Sequence, residues 1–159
     1  MKLFKASDYQ PKVNHIFRIL ETEMLEVFPK LRIEHIGSSS IPNAVSKGDL
    51  DVFVSTPQSQ FVEVLEIIKS IGFEEKKDTL RTDELCMLVT DKYDYDVAIQ
   101  LVVEGSEFEN FVIFRDLLRM SPQLVDEYNS LKLASAGLSE DEYRMKKSKW
   151  IKGVIDNEK

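Results

Sequence analysis

Asp49 and Asp51 stand two residues apart in the run Asp49-Leu50-Asp51-Val52-Phe53-Val54. Alternate side chains of a strand share a face, so both carboxylates point one way while Leu50, Val52 and Val54 point into a core. Like charges side by side repel, and neither is buried cheaply. A divalent cation between them removes the conflict. Upstream, Gly37-Ser38-Ser39-Ser40 reads as a turn that offers backbone N–H groups and hydroxyls to a phosphate. Cation and phosphate in one place suit metal-assisted transfer of a nucleotidyl group.

Such chemistry asks for a third carboxylate, and Asp96 is the best candidate. It lies in Tyr95-Asp96-Val97-Ala98-Ile99-Gln100-Leu101, an otherwise apolar strand expected to pair beside the Asp49 strand. Three oxygen ligands suit Mg²⁺ or Mn²⁺, which also bind substrate phosphates. Asp49 and Asp51 would hold a cation on the triphosphate of an NTP, and Asp51 with Asp96 would hold a second or act on an acceptor hydroxyl. The result is in-line displacement at an α-phosphate. Ser38, with Gly37 and Ser39, would bind the terminal phosphates. Taken singly, each aspartate is better read plainly: Asp49 as a turn residue after Lys47-Gly48, Asp51 as the partner of a lysine and Asp96 as a solvated charge. Only the combination points to chemistry.

The elements that position these residues follow from periodicity. Val13, Ile16, Phe17, Leu20, Met24, Leu25 and Phe28 recur at helical spacing, which predicts a helix over about 11–28 closed by Pro29. Arg32 to Ile36 reads as a strand entering the Gly-Ser turn, and Asp49 to Ser55 as the central strand. A second helix begins near Thr56-Pro57 and stops at Gly72. Strands follow at 73–76, 84–90 and 95–103, with a hairpin turn at Asp91-Lys92. Helices are predicted at about 107–120, 122–135 and 139–156. The reading is one α+β domain over 1–159, with an α/β core to about 105 and a helical part after it. Its sheet is expected to be small and mixed, with flanking helices.

Composition narrows the partners. Of 159 residues 43% are hydrophobic, as in ordinary globular domains, and the formal charge is −7. That balance argues against bulk nucleic acid, which needs a basic face. No apolar run approaches the roughly 20 residues that span a bilayer, and residues 1–10 lack a signal-peptide pattern. The one cysteine, Cys86, sits between Leu85 and Met87 and reads as a core residue. A reducing cytoplasm is the expected compartment.

Cations for the triphosphate come next. Arg115 and Arg119 lie one helical turn apart on one face, and Arg gives bidentate phosphate contacts. Lys47 could reach a phosphate from its turn. His35 reads as a hydrogen-bonded residue that shapes the turn, and Trp150 and Tyr143 as packing of helix on sheet.

Two resemblances converge on these residues. Gly37-Ser38 followed by Asp49-Leu50-Asp51-Val52 resembles the signature of the nucleotidyltransferase superfamily with the polymerase-beta-like fold. More closely, Ile33-Glu34-His35-Ile36-Gly37-Ser38-Ser39-Ser40-Ile41-Pro42 resembles the GrpB family. That likeness continues in Phe114-Arg115-Asp116-Leu117-Leu118-Arg119, Leu131-Lys132 and Tyr143 with Lys147-Ser148. It implies a nucleotidyltransferase fold and adds Lys132 and Lys147 as phosphate-binding cations. Relatives carry histidines where this chain reads Ala98-Ile99-Gln100-Leu101, and they often lack the first carboxylate of the pair, which favours an acidic triad here. The expectation is Mg²⁺-dependent transfer of an NMP from an NTP, ATP first, to an unknown small-molecule or protein acceptor. The alternative is a regulatory module of the same fold that binds nucleotide or metal without turnover.

Overall fold

The computed structural model describes residues 2–158. Helix α1 runs Ala6–Val27 and is followed by strand β1, Arg32–Ile36. A single 3₁₀ turn at Ser38–Ser40 and an extended loop lead to β2, Leu50–Thr56. Then come α2, Phe61–Ser70, and strands β3, Glu74–Glu75, β4, Leu85–Thr90, and β5, Val97–Val103. Three helices close the chain: α3, Asn110–Arg119, α4, Pro122–Ala134, and α5, Glu140–Asn157. None of the described helices is long and apolar enough to cross a membrane.

The sheet is mixed, with strand order β1-β2-β5-β4-β3. Only β2 and β5 run parallel. The middle strand is therefore β5, and β2, expected to be central, lies one place from the edge. Alternation sorts the two faces as the spacing requires. Leu50, Val52 and Val54 join Val97, Ile99 and Leu101 in a core with Val13, Ile16 and Leu20 of α1 and Val64, Leu65 and Ile68 of α2. On the opposite face Ile36, Phe53, Leu85 and Val102 meet Val112 of α3. A third cluster packs Ile41 and Ala44, from the loop after β1, against Phe114, Leu118, Val125, Tyr128, Val154 and Ile155. It anchors the helical part to the loop that precedes Asp49.

Helix α1 starts a turn before the expected position, leaving Pro11 inside it. The added turn is held by Tyr9, which is buried and donates its hydroxyl to the Ala44 carbonyl at 2.9 Å. Tertiary burial here outweighs the backbone bond that proline forfeits. Helix α2 starts later than read, because residues 58–60 form a 3₁₀ turn. Trp150 packs between helices rather than on the sheet, stacked on Tyr128 with ring centroids 5.3 Å apart.

Candidate functional site

The turn after β1 and the first residues of β2 meet at close range. Gly37 has φ 72°, a left-handed conformation that costs glycine little. A Cβ at this position would fall 2.5 Å from Asp51 Oδ2. Gly37 is thus required both by its dihedral and by the approach of Asp51. Beyond it, Ser40 closes the 3₁₀ turn by donating both its N–H, at 3.0 Å, and its hydroxyl, at 2.6 Å, to the Gly37 carbonyl. Gly48, with φ 96°, turns the chain into Asp49, and the Tyr95 hydroxyl donates to the Gly48 carbonyl.

Asp49 and Asp51 are both half-buried at the start of β2. Burial, and then the Asp49 charge, push the Asp51 carboxyl up to about 7, against the pull of Lys147, Lys47 and Lys132.

The opposing charges come from the helical part. Helix α4 opens with Pro122 at its first position and Ser121 as cap, its hydroxyl accepting the Leu124 N–H at 3.2 Å. Ser139 caps α5 in the same way, accepting from the Glu142 N–H at 3.2 Å. These starts bring Lys132 and Lys147 towards the Gly37–Ser38 turn. Lys132 is 2% exposed; its ammonium donates to the Ser38 hydroxyl and, at 2.6 Å, to the Val45 carbonyl, and it lies 4.1 Å from the Tyr128 ring centroid. Burial and the neighbouring Lys147 push the Lys132 amine down to about 7, against Asp49 and Asp51. Lys147, half-buried, is shifted upward by its electrostatic interactions with Tyr128, Tyr143 and Asp51. Among the described residues neither lysine has a carboxylate within 4.0 Å.

The remaining expected site residues lie elsewhere or are engaged. Asp96 is exposed just before β5, its carbonyl accepting the Leu50 N–H at 3.0 Å. The registered partner of Asp51 on β5 is Ala98, so Asp96 falls one side-chain pair early, level with Asp49. It lines a cleft of about 390 Å³ with Lys47, Asp49, Asp91, Asp94 and Tyr95. Among the described residues no three His, Cys, Asp or Glu side chains are grouped to hold a metal ion. The structure brings together the Asp49–Asp51 pair but does not assemble the expected triad. Lys47 is exposed at the rim.

Ser39 is buried and shares a hydrogen bond of 2.8 Å with His35 Nε2, so it braces the turn instead of facing outward. His35 stacks on Phe17 at 5.1 Å, and burial, then Arg119 and Arg115, lower its pKa to about 4. It is the turn-shaping histidine the sequence suggests. Arg115 is buried; it pairs with Glu34 at 2.7 Å and donates to the His35 carbonyl at 3.0 Å. Arg119 donates to the Ser40 carbonyl at 2.9 Å. Both arginines, expected at a triphosphate, grip protein atoms behind the turn. Sequence reasoning missed Tyr128, whose hydroxyl lies 3.5 Å from Ser38 Oγ. The available signal was its place one helical turn before Lys132.

Comparison with known proteins bears on the family and the fold. The family model described as GrpB protein matches residues 5–157. A UPF0157 protein of Vibrio cholerae is 49% identical over 155 residues, covering 98% of this chain and 82% of that protein. A UPF0157 protein of Deinococcus radiodurans is 24% identical over 130 residues, covering 80% and 67%. The crystal structure of GrpB from Enterococcus faecalis superposes with a TM-score of 0.77 at 21% identity, over 98% of this chain and 96% of that one. Cid1 poly(U) polymerase bound to MgATP superposes with a TM-score of 0.54 at 15% identity, over 78% of this chain and 40% of the polymerase. These likenesses are of fold, and the fold is nucleotidyltransferase-like.

Proposed function

This chain belongs to the GrpB family, and we propose that it transfers an NMP from an NTP, ATP first, to an acceptor, with a divalent cation at Asp49 and Asp51. One observation carries the reading: around the Gly37–Ser38 turn two carboxylates and two lysines stand within mutual influence but without ion-pair partners. Buried or half-buried charges left uncompensated destabilise a fold, and groups so perturbed concentrate where ligands act. A cation and a polyphosphate would compensate both sets together.

The donor set fits Mg²⁺ or Mn²⁺. Such ions are commonly held by one or two carboxylates and complete their shell with water and substrate phosphates. When bound, the cation would neutralise charge on the α-phosphate and on the departing pyrophosphate. Asp49 and Asp51 would hold it and, through it, orient the triphosphate. Ser38 would present its N–H and hydroxyl to a terminal phosphate. Lys132 would exchange its bond to the Ser38 hydroxyl for a phosphate oxygen, and Lys147 would approach from α5. Tyr128 would keep both ammonium groups in place. The buried Cys86 as sole cysteine fits a reducing cytoplasm.

The test is pyrophosphate release from labelled NTP with Mg²⁺ across a panel of acceptors. Release by the wild type that Asp51→Asn abolishes supports the proposal; identical behaviour of the two proteins across the panel removes it. A second reading, a nucleotide-binding module without turnover, is favoured by the displaced Asp96. Its signature is calorimetric nucleotide binding with no pyrophosphate at any acceptor.

A further inference from the structure

Two lysines face the Gly37–Ser38 turn, and their surroundings treat the proton in opposite ways. Lys132, on α4, is 2% exposed. Among the described residues its amine meets only neutral groups: the Ser38 hydroxyl, the Val45 carbonyl at 2.6 Å and the Tyr128 ring, whose centroid lies 4.1 Å away. A buried ammonium so placed has hydrogen-bond acceptors but no adjacent counter-charge, which favours loss of its proton. Lys147, from α5, and Lys47, from the loop before β2, push in the same direction as burial. Asp49 and Asp51, from β2, oppose them without cancelling them, and the amine titrates at about 7. Lys147 behaves differently. Half-buried, it is shifted upward by Tyr128, Tyr143 and Asp51 and keeps its proton. The corner therefore holds one fixed cation and one amine that exchanges its proton near neutrality.

We infer that Lys132 takes up a proton as the triphosphate enters, and gives that proton to the pyrophosphate as it departs. The inference rests on the nucleotidyl-transfer reading above. MgATP carries a net negative charge. A phosphate oxygen in place of the Ser38 hydroxyl supplies the counter-charge that Lys132 lacks, so the bound nucleotide raises its proton affinity. In the transfer step the acceptor oxygen forms its bond to the α-phosphorus, and the bond from that phosphorus to the oxygen bridging to the β-phosphate breaks. The electron pair stays on the departing oxygen, which gains basicity as the bond lengthens. The Lys132 ammonium donates its proton to the pyrophosphate, and the neutral amine returns to the Ser38 hydroxyl. The acceptor's own proton passes to solvent in the cleft beside Asp49 and Asp96. A proton donor works best when its affinity for the proton lies near the working pH. Burial sets that condition for Lys132, whereas Lys147 holds its proton too tightly to release it.

Uptake is read on the group itself, by NMR titration of the intact protein carrying a carbon-13 label at the lysine ε-carbons, free and with Mg²⁺ and α,β-methylene-ATP. Lys132→Arg assigns the signal by its loss. Should that variant not fold, Ser38→Ala, which removes a partner of Lys132, assigns it by its displacement. The expected midpoint is about 7 in the free protein and about two pH units higher with the nucleotide bound. An ordinary lysine midpoint in the free protein, or a midpoint that bound nucleotide leaves in place, overturns the inference. Failure to bind the analogue instead removes the underlying reading, and the inference with it. Transfer is read as the rate of pyrophosphate release, with the acceptor that serves the wild type best. Lys132→Arg keeps the charge but holds its proton at neutral pH. It is expected to slow release from ATP about a hundredfold, and to regain about tenfold of that loss with β,γ-difluoromethylene-ATP, whose less basic leaving group needs the proton less. A wild-type rate in Lys132→Arg overturns the transfer. So does a loss equal for the two nucleotides, which is the result a merely structural lysine gives. A wild type silent with every acceptor removes the underlying reading.

Discussion

The two sides of the Gly37–Ser40 turn treat charge in opposite ways. Behind it, β1 and α3 are strapped by matched ions: Arg115 to Glu34 at 2.7 Å, and Arg32 to Glu34 at 2.7 Å and to Glu109 at 2.9 Å. In front of it, Asp49, Asp51, Lys132 and Lys147 form no ion pair within 4.0 Å among the described residues. Arg115 and Glu34 are as buried as the corner, so desolvation alone does not separate the two regions. Pairing does. The strap spends its charges on holding the turn, and the corner keeps its charges unspent. Under the proposed function, the bound cation and phosphates would offset that cost.

Four substitutions probe this contrast. Arg115→Met removes the buried member of the strap, leaves Glu34 with Arg32 alone and removes a donor from the His35 carbonyl. It should lower stability by about 3–5 kcal/mol in urea unfolding. A loss below about 1 kcal/mol would make the strap as expendable as a surface pair. Gly37→Ala sets a Cβ against Asp51 at a left-handed φ, and should cost about 2–3 kcal/mol and weaken nucleotide binding together.

Asp51→Asn should do the reverse, gaining stability while losing ligand. In the folded chain the Asp51 carboxyl titrates near 7, above its ordinary value of 3.8. Between those values the folded state holds the extra proton, so the Asp51 contribution to stability falls as pH rises from about 4 to 7. The Asn variant should therefore match the wild type near pH 4 and exceed it by about 1–2 kcal/mol at pH 8, a gain reduced by partial solvent exposure. Thermal unfolding at the two pH values reads the difference, and a destabilised variant at pH 8 would mean that Asp51 is paired after all. Lys132 has the complementary window: its folded pKa near 7 lies below 10.5, so stability rises with pH between the two. The smallest effect belongs to Ser39→Ala, which removes one hydrogen bond to His35 and should cost about 1 kcal/mol with nucleotide affinity retained. Loss of affinity without loss of stability would place Ser39 at the phosphate.

Much of the fold was legible because period decides it. Leu50, Val52 and Val54 announced which face of β2 is buried, and Val13 to Met24 announced the inner face of α1. The carboxylate pair and the Gly-Ser turn were legible for the same reason, being local. The third carboxylate was not. Alternation correctly assigns Asp96, Ala98 and Gln100 to one face of β5, but only the register shows that Ala98, two residues on, stands beside Asp51. Spacing likewise put Arg115 and Arg119 on one face without revealing that Glu34 and the carbonyls of His35 and Ser40 had claimed them. Lys132 and Lys147 were reached through family likeness, and their convergence with Asp51 depends on how α4 and α5 pack on the loop after β1.

Under the proposed function, the uncompensated corner holds a cation and a nucleotide's phosphates. Isothermal titration of ATP in the presence and absence of Mg²⁺, on the wild type, Asp51→Asn and Lys132→Met, tests it most directly. The expected result is Mg²⁺-dependent binding by the wild type, loss of the Mg²⁺ dependence in Asp51→Asn, and loss of ATP binding in Lys132→Met. Equal heats from all three folded proteins, or none from the wild type at millimolar ATP, would contradict it.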